Sequence, residues 1–267
     1  MGNQQLPTEK SELTESQKDS IEYQRKRYNS EALEHVRHHG DQYSQMYRTE
    51  FIRSKLFNFD LQGKIVLDAM CASGVETEYL ISKGAIVTGL DISERNAEIY
   101  QEKWHRECIA TSIHDTKLNQ DSFDVVYIFG GLHHVIPCLG ETIREVYRLL
   151  KPGGYFVFVE PNKDTWFNAL RMLWYRFDSR FQKDEEALSY KNQLRPFLDL
   201  GFREVTSFKG GNIAYLLISQ SLIIGTPKSW KKWLYPVLSN LERLITRIPI
   251  VPRLFLAAVW QKKPDRN

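Results

Sequence analysis

The sequence predicts an α/β fold in which a mostly parallel sheet carries helices on both faces. Two observations point there. Short apolar runs alternate with helical stretches from Gly63 to about Phe208, the pattern of successive βα units. The first three runs each end at a carboxylate, Asp68, Asp91 and Asp115. In parallel sheets ligands bind at the carboxyl ends of the strands, so acids gathered there are candidate binding groups.

The elements follow in order. Residues 1–20 are polar and read as a loose terminus. Tyr28, Ala32, Leu33 and Val36 recur at helical spacing, and His38-His39-Gly40 interrupts them. A second helix is predicted with Tyr43, Met46, Tyr47, Phe51, Ile52 and Leu56 on one face. The first strand is expected at 64–67 and the second at 85–90, with helices over 74–83 and 93–106. A third strand is expected over 108–113 and a fourth over 123–129, where Gly130-Gly131 breaks it. A helix over 141–150 is closed by Lys151-Pro152-Gly153-Gly154, before a fifth strand over 155–159 that ends at Glu160-Pro161. A sixth strand is expected over 202–208. Between strands five and six, residues 162–200 form an insertion in which Trp166, Leu170, Leu173, Trp174 and Phe177 fall at helical spacing. Such a helix packs on the core or covers a substrate pocket. No internal repeat is present.

Composition narrows the function. The chain has 267 residues, 42% hydrophobic and 26% charged, which is ordinary globular usage and excludes disordered and collagen-like chains. Its net charge of +3 supplies no global field for binding nucleic acid. The charge is uneven, however. Residues 221–267 hold nine Lys or Arg and two acids, a net +7, which leaves −4 for the remainder. Cys71, Cys108 and Cys138 form neither a disulfide framework nor a metal pattern, which fits a reducing, cytoplasmic compartment. The polar N-terminus shows no signal-peptide pattern, and Leu6 breaks a myristoylation motif. No run of about 18 apolar residues predicts a membrane span.

Val66-Leu67-Asp68-Ala69-Met70-Cys71-Ala72-Ser73-Gly74 reads as a strand, a tight turn and a helix start, a turn that can present backbone N–H groups to a ligand. Asp91 follows seventeen residues after Gly74, at the end of strand two, and is suited to grip two ribose hydroxyls. A dinucleotide site would use the same acid. A pyrophosphate loop, however, requires glycines for close backbone approach, and Met70 and Ala72 stand at two of those positions. Asp68 suits a cationic ligand end better than a pyrophosphate. A nicotinamide-dependent reductase is therefore disfavoured.

These residues resemble the class I S-adenosylmethionine-dependent methyltransferases, in particular their ubiquinone-biosynthesis-like branch of small-molecule enzymes. The likeness covers about residues 60–160 and rests on five motifs in order: the Val66–Gly74 loop, Val87-Thr88-Gly89-Leu90-Asp91-Ile92-Ser93, His114-Asp115, Phe123-Asp124-Val125-Val126 followed by Leu132-His133-His134-Val135, and Leu149-Leu150-Lys151-Pro152-Gly153-Gly154. The resemblance implies a Rossmann-like, seven-stranded, mostly parallel sheet whose last strand, near 254–260, is antiparallel. It implies a helical cap within 1–57, a cofactor-binding core over 58–161, a helical insertion or lid over 162–200, and the rest of the sheet with a basic amphipathic segment over 201–267.

It also implies site roles. Asp68 lies under the methionine end of S-adenosylmethionine. Ala69, Ala72 and Gly74 allow close backbone approach. Asp91 binds the ribose and Ile92 packs on the adenine. Asp115 accepts from the adenine amine, with His114 and Thr116 lining that pocket. Phe129 and Gly130 wall the methionine and the transferable methyl. The family's loop has glycine where Met70 and Ala72 stand. Ala72 is compatible with it if its φ is negative, and Met70 if its side chain points away from the cofactor.

His133, His134 and Glu160 are the catalytic candidates: the histidines follow strand four beside the expected methyl and titrate near neutral pH, and Glu160 ends strand five. For each, a packing or loop-holding role is the alternative. Tyr23, Tyr28, Tyr43, Tyr47 and Arg48 are candidates for reaching the cofactor carboxylate from the cap. No metal site is expected. Phe129-Gly130-Gly131-Leu132 lacks the N/D-P-P-Y/F sequence of adenine-specific nucleic-acid methyltransferases, so no nucleic-acid partner is expected.

The expected activity is methyl transfer to a small, largely apolar or lipid-like acceptor, because Trp166, Phe167, Leu170, Leu173, Trp230 and Trp233 are expected over the site. A catalytically silent cofactor-binding or scaffold protein is the alternative. The stretch 228–260, with Trp230-Lys231-Lys232-Trp233, is read either as a helix closing the pocket with a solvated Lys face or as a peripheral membrane contact.

Overall fold

The computed structural model describes residues 13–39, 41–177, 186–220 and 226–264. Seven strands form one sheet in the order β3-β2-β1-β4-β5-β7-β6. They are β1 (Ile65–Ala69), β2 (Ile86–Asp91), β3 (Cys108–Ala110), β4 (Phe123–Phe129), β5 (Leu150–Pro161), β6 (Phe202–Gly210) and β7 (Phe255–Lys262). Strands β1 to β5 run parallel, and β7 inserts antiparallel between β5 and β6. The order reverses between β1 and β4, which opens a crevice at their carboxyl ends where ligands bind in such sheets.

Eight helices are used below: α1 (Glu15–His39), α2 (Gln42–Arg48), α3 (Ser54–Leu56), α4 (Thr77–Ser82), α5 (Glu94–Trp104), α6 (Leu139–Leu149), α7 (Asn168–Phe177) and α8 (Lys228–Ile245). One apolar layer includes Leu67, Val126, Ile143, Val146, Phe156 and Trp260 on the α6 side of the sheet. The opposite layer joins Val66, Val87, Val125 and Val157 to Tyr47, Ile52 and Leu56 of the N-terminal helices. The cap is thus part of the core.

Several boundaries differ from the sequence expectation. Strand β3 stops at Ala110 because it lies at the sheet edge and pairs only with β2, over three residues. Strand β5 starts at Leu150, inside the stretch expected to end a helix; Leu150 pairs with Phe123, and the register shifts before Val125 meets Tyr155. Helix α2 continues as a π-helical turn, Thr49–Arg53. That wider turn brings Phe51, Ile52 and Arg53 inward together, while Met46, expected on the buried face, is exposed. The side chains of Leu33, Val36, Trp174 and Phe177 lie outside the described residues.

The cap is fastened by a buried carboxylate that the sequence did not single out. Glu76 accepts from Arg48 Nη1 at 2.7 Å, from Arg53 Nε and Nη2 at 2.8 Å each, and from Tyr127 Oη at 3.0 Å. Burial alone would raise its pKa. The Arg53 and Arg48 guanidiniums outweigh burial and hold it at about 2. A carboxyl depressed in the folded state adds stability that is present above its unfolded value of roughly 4.3 and is lost as pH falls towards the folded value.

Glu76→Gln should therefore cost about 3–5 kcal/mol at neutral pH, because two guanidiniums stay buried without their counter-charge. Urea unfolding at pH 7 checks the magnitude. A pH series checks the sign: the gap between wild type and variant should close as the pH falls from about 4.5 towards 2.

Candidate active site

The loop after β1 lies at the crevice, and its backbone is held from three sides. Ala72 N donates to Asp91 Oδ2 at 2.8 Å, Cys71 N to Leu90 O at 3.1 Å, and Trp104 Nε1 to Ser73 O at 3.0 Å. Gly74 has φ +75°, and a Cβ there would lie 2.3 Å from Trp104 Nε1, so this glycine permits helix and loop to meet.

Met70 and Ala72 also have positive φ, 56° and 46°. The condition set for Ala72 in the sequence reading, a negative φ, is therefore not met. The turn demands the left-handed conformation whichever residue occupies it, at roughly 1–2 kcal/mol for each non-glycine. The Met70 side chain leans towards the turn after β4, where its thioether lies 2.6 Å from the position a Cβ on Gly131 would take. Gly131 is thus small because Met70 is large, and Met70 forms part of the wall beside that turn.

The two central acids are buried. Asp91 accepts from Ala72 N, from Ser93 N at 2.9 Å and from Asn96 Nδ2 at 3.2 Å, and burial pushes its carboxyl upward. Asp68 accepts from Thr77 Oγ1 at 2.5 Å; burial outweighs that bond and raises its pKa to about 7. Burial favours its neutral form, and a cation brought close would pull the value down and favour the carboxylate. Ala69 is buried at the end of β1, and Ile92 is half-buried after β2.

The expected adenine side divides. His114 is buried, with Nδ1 2.6 Å from Ser112 Oγ. Asp115 is at the rim, paired with Lys117 at 2.7 Å. Thr116 turns away, giving its N–H and hydroxyl to Glu145 Oε1 on α6 at 3.0 and 2.7 Å. Glu145, like Glu76, has no sequence motif to mark it.

At the end of β4, Phe129 lies under the Arg48 guanidinium, 4.6 Å from carbon to ring centre. Gly130 has φ +69° with open space where a Cβ would stand. Glu160 Oε1 accepts from Gly131 N at 2.9 Å and Leu132 N at 2.8 Å, while Oε2 faces His133 N at 3.3 Å and His133 Nδ1 at 2.8 Å. Glu160 therefore shapes the turn and orients His133. A carboxylate only accepts, so the Nδ1 proton belongs to this bond and Nε2 is left as the basic nitrogen. The His134 ring lies tilted against that of His133, with centres 3.8 Å apart, and meets Tyr28 edge-on at 5.5 Å.

Helix α1 crosses these strand ends. Gln17 Nε2 donates to Pro137 O at 2.7 Å, and Asn29 joins Ser93 Oγ and Glu94 at 2.7 Å each. The helix thus bridges the segment after β4 and the start of α5. Of the cap candidates, Tyr28 reaches the site. Tyr23 is exposed, Tyr43 packs against Tyr235, and Tyr47 gives its hydroxyl to Glu242 at 2.8 Å. Arg48 is engaged with Glu76. Among the described residues no cluster of His, Cys, Asp and Glu could hold a metal.

Of the aromatic and aliphatic residues expected over the site, Trp166, Leu170, Leu173, Trp230 and Trp233 are exposed. Arg171 is bound to the Asn162 and Leu254 carbonyls at 3.0 Å each.

Residues 67–158 match the methyltransferase domain family. Ubiquinone biosynthesis O-methyltransferases from Pseudomonas putida (strain W619) and Proteus mirabilis are each 35% identical, over 112 and 115 residues. These stretches are 39% and 40% of this chain, and the chain spans about half the length of these relatives, 47% and 46%. Among solved structures, the cyclase SpnF superimposes with a TM-score of 0.61 at 15% identity, covering 92% of this chain and 96% of that one. The Burkholderia thailandensis 1,6-didemethyltoxoflavin-N1-methyltransferase, solved with bound 1,6-didemethyltoxoflavin and S-adenosylhomocysteine, gives 0.56 at 15%, covering 96% and 94%.

The strain in the loop sets a test of sign. Ala72→Gly should leave the protein as stable or more stable, by up to about 1 kcal/mol, because glycine relieves the left-handed residue. In regular structure the same change costs roughly 0.5–1 kcal/mol. Equilibrium urea unfolding distinguishes the two.

Proposed function

We propose that this protein, whose residues 67–158 match the methyltransferase domain family, transfers a methyl group from S-adenosylmethionine to a small, apolar or amphipathic acceptor. The observation that carries this reading is Asp91, a buried carboxylate at the carboxyl end of β2 tied to the backbone of the β1 loop. Its acceptor oxygens suit a pair of ribose hydroxyls. Ser73 Oγ, buried in the same loop, finds no hydrogen-bond partner among the described residues, which fits a loop shaped for a polar ligand. Asp68, near the carboxyl end of β1, suits the cationic amino-acid end, whose charge would favour its carboxylate form. Phe129 and the open space at Gly130 suit the region of the transferable methyl.

S-adenosylmethionine supplies an electrophilic methyl on a sulfonium, open to in-line displacement. The chain's own part is alignment and exclusion of water, to which α1 contributes by covering the strand ends. His133 Nε2, set by the Glu160–Nδ1 bond, is the group to take an acceptor proton. The relatives' names, with O-methylation and ubiquinone biosynthesis, support an oxygen on an amphipathic molecule as acceptor. A second reading, a cofactor-binding protein without methyl transfer, is favoured by Met70 in the wall beside the β4 turn and by a cyclase of the same fold.

Asp91→Ala should weaken S-adenosylmethionine binding by about 1.5–3 kcal/mol, since hydrogen bonds to a charged acceptor are lost. Calorimetry showing unchanged affinity would remove Asp91 from the site. Turnover with isotopically labelled cofactor and a panel of phenolic, lipid-like, sugar and nucleotide acceptors tests the reaction itself. No transfer to any of them would favour the second reading, and transfer to sugars or nucleotides alone would exclude an apolar acceptor.

His133→Ala should lower kcat by about 100-fold or more while the cofactor Kd moves by less than about twofold. A wild-type kcat across about pH 6–9 in that variant would show that no base is supplied at this position.

A further inference from the structure

Helix α8 packs Leu234 and Leu238 against the core, but its fully buried side chains, Lys231, Ser239 and Glu242, are polar. Lys231 is buried and donates to Ser44 Oγ at 3.0 Å and Ile218 O at 2.8 Å, with Asp41 as its ion partner. Glu242 is buried and accepts from Tyr47 Oη, from Asn212 N at 3.1 Å and from Ala214 N at 3.2 Å. These bonds fix the rotation of the helix on the cap. The rotation turns Trp230, Trp233, Val237, Leu241 and Leu244 outward, spaced three and four residues apart along one stripe. Trp233 is 74% exposed. Of the expected solvated Lys face, Lys231 departs by facing in, while Lys228, Lys232 and the tryptophans face out.

A second segment continues the stripe. Trp166 Nε1 donates to Ile250 O at 2.9 Å, joining the start of α7 to the loop that follows α8. Trp166, Leu170 and Leu173 are exposed at helical spacing, and Ile250 is 77% exposed. Arg253 donates to the carbonyls of Thr246 and Ile248, which holds this loop against the end of α8. Two elements about sixty residues apart in sequence thus present one apolar surface larger than scattered surface residues would make.

The exposed, unpaired charge on and just after α8 is of one sign. Lys228, Lys232 and Arg247 are exposed and form no ion pair among the described residues. The one acid between residues 226 and 264, Glu242, points inward. Lys232 lies 5.5 Å over the Trp233 ring, so a base and an indole share one level. No described helix is long and apolar enough to cross a membrane.

We propose that α8, with the Trp166 segment and the Ile250 loop, lies in the surface of an anionic lipid bilayer. Tryptophans and isoleucines enter the head-group boundary, and Lys228, Lys232 and Arg247 meet lipid phosphates. A bilayer accounts for the observations better than a protein partner: the stripe is a convex helix face about 27 Å long at 1.5 Å per residue, flanked by bases and free of exposed acid on the helix. This proposal stands apart from the methyl-transfer reading, since it rests on no residue of the crevice.

The test is flotation of the full chain with phosphatidylcholine vesicles, with and without phosphatidylglycerol, together with tryptophan emission. The chain should float with the anionic vesicles, less so as salt rises, and its emission should shift to the blue. Trp230→Ala with Trp233→Ala should lower partitioning at least tenfold with an unchanged thermal melt, because both side chains are exposed. Lys228→Ala and Lys232→Ala should each lower it about fivefold on anionic vesicles alone. Absence of flotation, or equal flotation of the double tryptophan variant, overturns the proposal. So does light scattering that shows a dimer dispersed by the same tryptophan changes, which would assign the stripe to a second copy of the chain.

Discussion

The site depends on the buried contact of Glu76 with Arg48 and Arg53. An unpaired carboxylate or guanidinium in that position would cost several kcal/mol, so the N-terminal helices must dock where they do. Docking carries Arg48 onto Phe129 at the end of β4 and places Tyr47, Ile52 and Leu56 in the layer beneath the sheet. Tyr127, from β4 itself, completes the carboxylate's partners. The cap that meets the crevice and the sheet that forms it are therefore held by one charge cluster.

A second dependence runs through Asp91 and the β1 loop. The carboxylate that is suited to a ribose also accepts from Ala72 N and so supports two residues in left-handed conformations where glycine would sit without strain. Binding strength and loop conformation share one side chain. Met70 adds a reciprocal constraint, because its thioether occupies the space that any side chain larger than glycine at 131 would need. On the far side of the crevice Glu160 plays the organising role, receiving the backbone of the turn and setting the tautomer of His133.

Polar residues thus do most of the orienting in this molecule. Glu76 fastens the cap, Glu145 draws Thr116 towards α6, Glu160 shapes the β4 turn, and Glu242 with Lys231 sets the rotation of α8. Each is nearly dry, and each is satisfied by several partners, which is the condition under which a buried charge specifies one arrangement. The apolar layers supply the driving force, and these bonds add the directionality that apolar contact lacks.

The sheet and its carboxyl edge were legible in the sequence, because strand runs, βα alternation and terminal acids are local patterns that a parallel sheet imposes on contiguous residues. Asp68, Asp91, Phe129 and the His133-His134 pair are found at that edge for the same reason. What the tertiary structure alone decided concerns residues whose partners are distant in the chain. Thr116 could be placed in the adenine pocket by motif, but Glu145, 29 residues on, turns it away. Glu160 reads as a second catalytic candidate until the backbone of residues 131–133 closes on it. The sign of φ at Ala72 follows from the turn's geometry and not from residue type. The alternation of Trp and Lys in 230–233 fixes an amphipathic helix but not which face is inside. That was settled by Asp41 and Ser44, roughly 190 residues away, which pair with Lys231 and turn the tryptophans to the surface.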